Sequence, residues 1–501
     1  MIAPPEWVGA FLTTADFTIL CYFTLLHIIL TTLSVLTYVS LRRYLPSLKG
    51  FDVADAAVAK AAPPITVIAP AYNEGATCVE ATHSLLALDY PNHEIIFVND
   101  GSKDDTLSKL VEAFDLKPGA RVPTAEIPTA EIREVYQSRR HPNLWVIDKE
   151  NGGKADALNA GIDFCVTPLF LAVDADSLLE RDALLRIVRP FLTNASTVAA
   201  GGMIRVVNDC TVRYGVVTEV KLPKKLLARL QALEYLRAFL MGRVGWAAMD
   251  ALLVISGAFG LFRRSAVVAA GGYASSRTSG ETVGEDMELV VRLRRWGKEQ
   301  GVPVRIDFVP DAVAWTEVPE TLSSLARQRD RWQRGLWETA ARHMPLLFNP
   351  RYGLVGMVAF PYFVFLELFG AVAEIMGYFA VLVSVVLGLT SPRFLLVFTV
   401  AVIGVGLVLT FFNLLLEELA FRRYERTADL LQLFLLAIVD SLGMRQLSSY
   451  WRFRGVVNAI LKRRIWGRQE RRGFTAPSEP TTSDAPSDVG EPETEREVAV
   501  V

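Results

Sequence analysis

Two aspartates, Asp174 and Asp176, have the types and spacing that most directly suggest chemistry, because a single alanine separates them at the end of an apolar run. That run, residues 169–173, has the length and composition of a buried parallel strand. Ligands of open α/β sheets collect at the carboxyl ends of such strands. Two carboxylates at that place suit a hard cation such as Mg²⁺ or Mn²⁺, which would in turn hold a diphosphate. Taken alone, the pair is also typical of a turn or a helix cap.

Two earlier strand ends carry carboxylates of their own. Residues 64–74 predict a strand that runs into a polar loop at Glu74, and residues 94–102 predict a second strand that ends in Asn-Asp-Gly at Asp100. With a helical segment between them, the two strands form a right-handed βαβ unit of a nucleotide-binding sheet. Glu74 and Asp100 would then lie at one edge and accept hydrogen bonds from a ribose or a base, although turn capping explains them equally well.

A glycine pair and a lysine, Gly152-Gly153-Lys154, precede a helical segment. The glycines allow the backbone to approach a ligand closely, and Lys154 at a helix start would meet a phosphate. The spacing is not that of a Walker motif, so a P-loop is excluded. Upstream, residues 123–132 contain Pro-Thr-Ala-Glu-Ile twice, which we interpret as a surface insertion without catalytic residues.

The composition indicates a protein that is part membrane and part globular. Of its 501 residues 51% are hydrophobic, the mean hydropathy is +0.29 and the net charge is −2. This is too apolar for an ordinary soluble enzyme and too charged for a pure transporter. The four cysteines show no Cys-x-x-Cys spacing and the five histidines no metal-spaced cluster. Neither a disulfide framework nor a zinc site is therefore expected. Nucleic acid is also not among the expected partners.

A first membrane helix is predicted in residues 1–45. Residues 17–41 are apolar and contain no Asp, Glu, Lys or Arg, which is long enough to cross a bilayer. Arg42 and Arg43 follow directly, whereas no Lys or Arg precedes the run. The positive-inside rule therefore places the N-terminus outside and the following domain in the cytoplasm.

Hydrophobic segments return after the globular region, and residues 353–447 predict further transmembrane or interfacial helices. The stretch 353–389 is interpreted as two segments, 394–416 as a clear span, and 430–447 as an apolar block interrupted by Asp440. Glu367 and Glu374 would face a polar channel, because carboxylates inside a membrane are costly without such a role.

The last part of the chain changes composition twice. Residues 448–473 are rich in Arg and Lys and belong in the cytoplasm, which requires two or four crossings after the globular domain. Residues 474–501 are rich in Pro, Ser, Thr and Glu and predict a disordered acidic tail.

Six motifs, taken in order, carry a resemblance to a known family. Pro-Ala-Tyr-Asn-Glu (70–74), Val-Asn-Asp-Gly-Ser (98–102), Gly-Gly-Lys-Ala-Asp-Ala-Leu-Asn (152–159) and Asp-Ala-Asp (174–176) resemble the nucleotide-sugar-binding half of family-2 inverting glycosyltransferases. Gly-Glu-Asp (284–286) and Gln-Arg-Asp-Arg-Trp (328–332) resemble the acid/base and Gln-x-x-Arg-Trp motifs of membrane polysaccharide synthases such as those of poly-N-acetylglucosamine, hyaluronan and cellulose. The resemblance covers about residues 64–337 and extends to the flanking membrane helices.

The resemblance implies a fold and a donor site. The fold is an α/β nucleotide-sugar-binding (GT-A-like) cytoplasmic domain, residues 55–340, which ends in an interfacial helix and is inserted between transmembrane α-helices. Asp174 and Asp176 would hold Mg²⁺ or Mn²⁺ and the diphosphate, with Asp176 as the direct ligand and Asp174 either nearer the ribose or behind the direct ligands. Glu74, Asp100 and Lys154 would line the nucleotide pocket.

The resemblance also implies the groups that act on the acceptor. Asp286 would be the base, although it is also a candidate N-cap, and one base without a second nucleophile implies inversion, so that an α-linked donor gives a β-linkage. In the acceptor site we expect Gly257, Ala258 and Phe259, for which a tight turn is the alternative. Three residues on neighbouring faces of one helix turn complete the predicted site, namely Gln328, Arg331 and Trp332. Arg331 would bind phosphate oxygens, and Trp332 would lie under the acceptor ring. The alternative for that helix is an amphipathic helix that lies on the membrane.

The expected function is a processive, metal-dependent hexosyltransferase that uses a nucleotide sugar, with UDP-N-acetylglucosamine as an example, at the inner face of the cell membrane. Its partners would be the donor, a growing glycan or a lipid-linked acceptor, and the bilayer. Two alternatives stay open: a transferase that adds one sugar to a lipid carrier, and a transporter or receptor with a non-catalytic nucleotide-binding domain. The chain departs from several synthases in its single N-terminal span and in Gly-Glu-Asp where they have Thr-Glu-Asp.

Overall fold

The computed structural model describes residues 6–49, 62–389, 391–421 and 427–461. The predicted acidic tail, residues 474–501, lies outside the described residues. Within them, a mixed α/β domain lies in the chain between an N-terminal helix and a C-terminal group of helices, which pack against each other.

A ten-stranded mixed sheet forms the centre of the α/β domain, with strand order β3-β4-β5-β2-β1-β6-β11-β8-β12-β7. A separate hairpin consists of β9 (Thr211–Arg213) and β10 (Val216–Glu219). The strands of the main sheet are β1 (Ile65–Ala71), β2 (His93–Asp100), β3 (Leu116–Pro118), β4 (Ile132–Ser138), β5 (Leu144–Lys149), β6 (Leu169–Val173), β7 (Ser177–Leu179), β8 (Thr197–Val206), β11 (Phe259–Arg263) and β12 (Arg305–Thr316).

The predicted strands at 64–74, 94–102 and 169–173 are β1, β2 and β6, which are parallel neighbours. Every residue of β1 and β6 is buried, as continuous apolar runs require. From β1 the chain proceeds outward to β2 and β5 on one side, whereas β6 is added on the other side. The carboxyl ends of β1 and β6 therefore border the crevice at which open α/β sheets bind ligands.

In the described residues, ten helices belong to the same domain as this sheet. They are α2 (Cys78–Leu86), α3 (Thr106–Phe114), α4 (Lys154–Phe164), α5 (Ala183–Ile187), α6 (Arg189–Thr193), α7 (Leu226–Arg237), α8 (Gly245–Ala248), α9 (Arg264–Ala269), α10 (Glu285–Gln300) and α11 (Leu322–Arg342). A π-helical segment, Ala238–Val244, joins α7 to α8. Helix α4 lies directly on β1, because a β-carbon at Gly161 would be only 2.3 Å from a methyl group of Ile68.

Most residues of the tandem repeat at 123–132 are exposed, as predicted for a surface insertion, and the repeat also forms hydrogen bonds to α4. Its first copy donates backbone amides to Asp163, including that of Glu126 at 2.8 Å, and its second copy donates the amide of Ala130 to Asp156 at 3.0 Å. Both aspartates belong to α4 and are seven residues apart, which places them on one helix face. The repeat therefore supports the helix that begins with Lys154.

Five further helices contain most of the hydrophobic segments: α1 (Glu6–Lys49), α12 (Gly370–Val386), α13 (Pro392–Phe421), α14 (Thr427–Val439) and α15 (Arg445–Ile460). Short 3₁₀ and π-helical segments link α11 to α12 (Met344–Leu346, Pro350–Tyr352, Val355–Ala359, Tyr362–Leu368), and another π-helical segment (Asp440–Met444) links α14 to α15. In the part of the chain that the structure describes, three stretches are long and apolar enough to cross a membrane, namely Phe17–Pro46, Leu395–Phe421 and Ala428–Ile460. A fourth candidate, Val355–Leu368 with Gly370–Val386, is bent by 42°, which agrees with the two segments predicted for 353–389.

Two carboxylates that we expected in a polar channel have partners within the protein, and their position at a channel stays a prediction. Glu367 lies 2.9 Å from Arg452 and accepts a hydrogen bond from Tyr362 at 2.7 Å. Glu374 is buried and accepts hydrogen bonds from Tyr22 and Ser449. Side-chain donors on neighbouring helices thus offset the cost of burying these carboxylates.

The predicted basic segment, residues 448–473, lies within the described residues only as far as residue 461. Its first residues belong to α15, which packs along α11 so closely that a β-carbon at Gly455 would lie 2.9 Å from Cβ of Gln333. Arg454 of this helix lies 3.7 Å from Asp330 of α11. Part of the positive charge therefore pairs with the globular domain.

Candidate active site

Asp174 and Asp176 lie where they were predicted, directly after β6 at the crevice of the sheet. Asp176 is buried and the side chain of Asp174 is about one-third exposed. Lys154, the first residue of α4, places its Nζ 2.7 Å from Asp174 Oδ1 and 3.1 Å from Glu285 Oε1. Tertiary structure thus joins the lysine motif, the aspartate pair and the Gly-Glu-Asp motif in one cluster.

Asp286 belongs to the first turn of α10, whose N-cap is Gly284. Its Oδ2 accepts a hydrogen bond from the amide of Gly257 at 3.0 Å, and its Oδ1 accepts one from the amide of Met287 at 2.7 Å. A β-carbon at Gly257 would lie 3.0 Å from Lys154 Nζ and 3.4 Å from Asp286 Oδ2. Gly257 therefore keeps a narrow space open between the lysine and the predicted base.

The electrostatics of this cluster hold Lys154 in its charged form. Burial opposes the charge, but the neighbouring carboxylates of Asp174 and Glu285 outweigh it and raise the pKa of Lys154 above its usual range. Burial raises the pKa of Glu285, and the charge of Asp286 adds to the effect, whereas Lys154 opposes it. Glu285 was part of a predicted motif but was not among the predicted site residues. Its only sequence signal was its position beside Asp286.

The loops that follow β1 and β2 lie side by side, as the predicted βαβ unit requires. The amide of Asn73 donates to Ser102 Oγ at 3.0 Å, and Asn73 Oδ1 accepts from the amide of Lys103 at 2.8 Å. Next to Asn73, Glu74 accepts a hydrogen bond from Thr77 Oγ1 at 3.0 Å. Glu74 therefore stands at the edge of the crevice within a connected pair of loops.

Asp100 is bound by donors of its own chain. Its Oδ1 lies 2.6 Å from Lys149 Nζ and accepts the amide of Gly152 at 3.0 Å, while its Oδ2 accepts the amide of Gly153 at 2.8 Å. The residue is buried. Asp100 therefore fixes the conformation of the glycine loop that precedes Lys154. Direct contact of this carboxylate with a nucleotide stays a prediction.

The predicted acceptor residues divide into two groups. Phe259 is 0% exposed, because it begins β11 and pairs with Val173 of β6, and Ala258 is buried as well. The side chains of Ala258 and Phe259 thus pack in the interior, whereas Gly257 borders the space beside Asp286. Acceptor contact by residues 257–259 stays a prediction.

Helix α11 carries the other predicted acceptor residues. Gln328 is buried, Arg331 is exposed and Trp332 is 43% exposed, with the guanidinium of Arg329 4.6 Å from its ring centroid. The backbone of α11 touches the start of α10, since a β-carbon at Gly335 would lie 2.8 Å from Cα of Gly284. This contact brings the Gln-x-x-Arg-Trp helix against the segment that carries Asp286.

Together these features define an α/β domain of the GT-A type, with carboxylates and a lysine at its ligand-binding edge, joined to helices that are apolar enough to cross a membrane. The chain belongs to glycosyltransferase family 2: the family model described as "Glycosyltransferase like family 2" matches residues 63–335. This match covers the sheet, the aspartate pair, the Gly-Glu-Asp motif and the first two-thirds of α11.

Curated relatives include the poly-beta-1,6-N-acetyl-D-glucosamine synthase of Staphylococcus aureus (strain COL), which is 30% identical over 281 residues, or 56% of this chain and 56% of that protein. The protein of the same name from Staphylococcus epidermidis is 28% identical over 279 residues, again 56% of each. The chain thus spans about half the length of the curated relatives it matches.

Similar solved structures include a mannosyltransferase from Pyrobaculum calidifontis in complex with GDP-Man and Mn2+. It shows a TM-score of 0.48 and 19% identity, and the match covers 84% of this chain and 99% of that chain. A second is S. aureus TarS 1-349 in complex with UDP-GlcNAc, with a TM-score of 0.34 and 17% identity over 56% of this chain and 66% of that chain.

Proposed function

We propose that the protein is a processive, inverting glycosyltransferase that polymerises a β-linked polysaccharide from a UDP-sugar, with UDP-N-acetylglucosamine as the first donor to test. The observation that carries the proposal is the meeting of Asp286, the Lys154–Asp174 pair and the helix with Gln328, Arg331 and Trp332 beside the apolar helices. The name of the relatives that are 30% identical supports both the polymer and the donor.

Asp286 is assigned as the general base. It takes the proton of the acceptor hydroxyl, whose oxygen then attacks the anomeric carbon of the donor while the nucleoside diphosphate leaves from the opposite face. Hydrogen bonds from the backbone amides of Gly257 and Met287 orient this carboxylate. A single displacement of this kind inverts the anomeric configuration, so that an α-linked donor yields a β-linkage.

The leaving diphosphate requires positive charge. Lys154 stays charged and holds Asp174, and Arg331, on the exposed side of α11, can bind phosphate oxygens through two parallel hydrogen bonds. We assign Glu74 to the nucleotide, and Asp100 to the loop that presents Lys154. Trp332 offers an apolar face to the acceptor ring, and Gly257 leaves room for its hydroxyl.

A divalent cation, Mg²⁺ or Mn²⁺, fits the donor side of this site. The described part of the chain contains no group of three His, Cys, Asp or Glu side chains placed to hold a metal, so a cage made only of protein ligands is not present there. Two oxygen donors, Asp174 and Asp176, match the habit of such cations to bind one or two carboxylates together with substrate phosphates. When bound, the cation would neutralise charge on the diphosphate.

We place the catalytic domain at the inner face of the cell membrane. Arg42 and Arg43 lie near the C-terminal end of the first candidate span, Phe17–Pro46, and no Lys or Arg precedes its apolar part. If the bent pair at 355–386 is re-entrant, the spans Leu395–Phe421 and Ala428–Ile460 give two crossings after the domain, which is one of the even numbers expected.

The test uses the purified full chain in proteoliposomes with labelled UDP-N-acetylglucosamine and Mn²⁺. We expect a ladder of long products and one UDP released for each sugar transferred. The Asp286→Asn variant should lose at least about 10²-fold in the rate of transfer. The matched control is Asp89→Asn, which removes a carboxylate from an exposed ion pair with Arg181. A lipid product with only one added sugar would exclude the polymer, and normal turnover of Asp286→Asn would exclude the assigned base.

A further inference from the structure

Glu288 is a completely buried carboxylate that lies two residues after Asp286 on α10. It is 0% exposed, and residues two apart on a helix point to nearly opposite sides. Asp286 thus faces Gly257 and the crevice, whereas Glu288 faces the interior of the domain. A buried charge of this kind is stable only when cations and donors surround it.

Helix α11 supplies one of these donors. His343 follows the last residue of α11, is 2% exposed, and places its Nε2 3.2 Å from Glu288 Oε1. Its own amide donates to Thr339 at 3.1 Å, so that it continues the last helical turn. Arg342, the final residue of α11, lies 3.7 Å from the same carboxylate oxygen. The end of the helix that carries Arg331 and Trp332 is therefore fastened to α10.

Arg292 extends the network to α4. It donates to both oxygens of Glu288 at 2.9 Å and to the carbonyl of Gly272 at 2.6 Å. The neighbouring Tyr273 exchanges two backbone hydrogen bonds with the amide side chain of Asn159, at 2.7 and 2.9 Å. Asn159 belongs to α4, five residues after Lys154. A continuous chain of hydrogen bonds thus connects α11, α10 and α4.

The charges around Glu288 are predominantly positive. Arg292 and Arg342 are permanently charged, and His343 adds a third donor. The hydrogen bonds and charges of His343 and Arg292 outweigh the opposing effect of burial and lower the pKa of Glu288 to about 2. Glu288 is therefore ionised at neutral pH, and its loss leaves two arginines and a histidine without their shared carboxylate.

We propose that Glu288 is a positioning residue, which holds the predicted base on α10 in register with the acceptor helix α11 and with the Lys154 helix α4. The inference rests on the proposed function and adds to it a residue that touches no substrate. A displacement of about 1 Å between reacting groups costs about 10²-fold in rate. A buried network that fixes three helices is a direct means of preventing such a displacement.

The test is Glu288→Gln in the full chain, with His343→Ala as the partner variant. Both should lower the rate of sugar transfer about ten- to hundredfold, with less than a twofold change in the donor KM and in UDP affinity. The transfer rate of the double variant should be no lower than that of the slower single variant, because each substitution removes the same Glu288–His343 hydrogen bond. His343→Gln, which keeps an N–H donor, should restore most of the rate. Glu299→Gln, in the partly exposed pair with Arg295 on the same helix, serves as the control.

A second measurement does not depend on catalysis. Amide hydrogen exchange in Glu288→Gln should rise in residues 280–288 and 338–343, and remain near the wild-type value in β1, β2 and β6. Normal transfer by Glu288→Gln, parallel losses of transfer and UDP affinity, or unchanged exchange in the two segments would each overturn the positioning role. If the wild-type chain transfers no sugar, the proposed function fails, while the exchange measurement still decides the role of Glu288.

Discussion

Gly284→Ala is the substitution that most directly tests whether the contact between α10 and α11 matters for activity. The backbone at Gly284 has φ −120° and ψ 50°, which an alanine can adopt, so the test is steric rather than conformational. A β-carbon there would lie 2.9 Å from Cα, 3.1 Å from C and 3.2 Å from O of Gly335. All three atoms belong to backbone, which cannot move aside as a flexible side chain can.

The expected magnitude follows from these distances. Non-bonded carbons rest at about 3.5–4.0 Å, so the two segments must separate by roughly 0.6–1.1 Å. Overpacking of this size costs about 1–3 kcal/mol of stability. Asp286 is two residues from Gly284, and Trp332 is three residues from Gly335. The side chains of Asp286 and Trp332 would therefore shift relative to each other. We expect the turnover number to fall about 10²-fold, with a decrease of only a few degrees in Tm.

The assay measures the initial rate of UDP release and the melting temperature of the same purified preparation. Gly404→Ala is the matched control, because a β-carbon at this glycine of α13 would meet no described atom within 4 Å. It should retain the wild-type rate. If Gly284→Ala keeps a turnover number within twofold of wild type while folding normally, the α10–α11 contact does not set the catalytic geometry and the reasoning is refuted.

Three further predictions concern other parts of the molecule. Lys149→Met leaves Asp100 and Asp156 buried without the ammonium that lies 2.6 and 2.7 Å from them, and should lower the free energy of unfolding by about 3–5 kcal/mol; a denaturation midpoint equal to that of wild type would contradict this. Because the pKa of Glu288 is about 2 when folded, below its ordinary value near 4.5, its stabilising effect is complete above pH 4.5 and is lost as the pH falls towards 2. In Glu288→Gln, stability should not show this loss between pH 4.5 and 2. Superimposable pH dependences of stability in the two proteins would argue against the stabilising effect of Glu288. Removal of divalent cations with EDTA should abolish transfer, and Mn²⁺ or Mg²⁺ should restore it, with a higher concentration needed by Asp176→Asn; full activity in EDTA would exclude the metal role.

Local patterns predicted much of the fold because the relevant physics is local. The apolar runs of β1, β2 and β6, each followed by polar residues, predict buried strands whose ends meet at one edge, and the structure confirms this arrangement. The order of the six motifs identified the family, which the match over residues 63–335 confirms. The run of apolar residues at 17–41 predicted a helix long enough to span a bilayer, and such a helix is present.

The side-chain environments of the site were decided by contacts that no local pattern encodes. Phe259 lies in a small-residue turn in the sequence but is buried, because β11 pairs with β6, more than 80 residues earlier. Asp100 binds a loop about 50 residues later, and Glu367 pairs with Arg452, 85 residues later. A side chain's exposure and partners depend on which distant segments the fold brings to it, and these are set by packing of the whole chain.

The sequence by itself therefore determined the family, the α/β class, the candidate spans and the groups that we propose to act on a donor and an acceptor. Only the tertiary structure decided that Lys154 holds Asp174, that Gly257 separates Lys154 from Asp286, and that Glu288 joins three helices through His343 and Arg292. The physical reason is the range of the interactions. Strand and helix formation depend on residues within one or two turns, whereas buried ion pairs and backbone contacts between glycines exist only after distant segments have packed together.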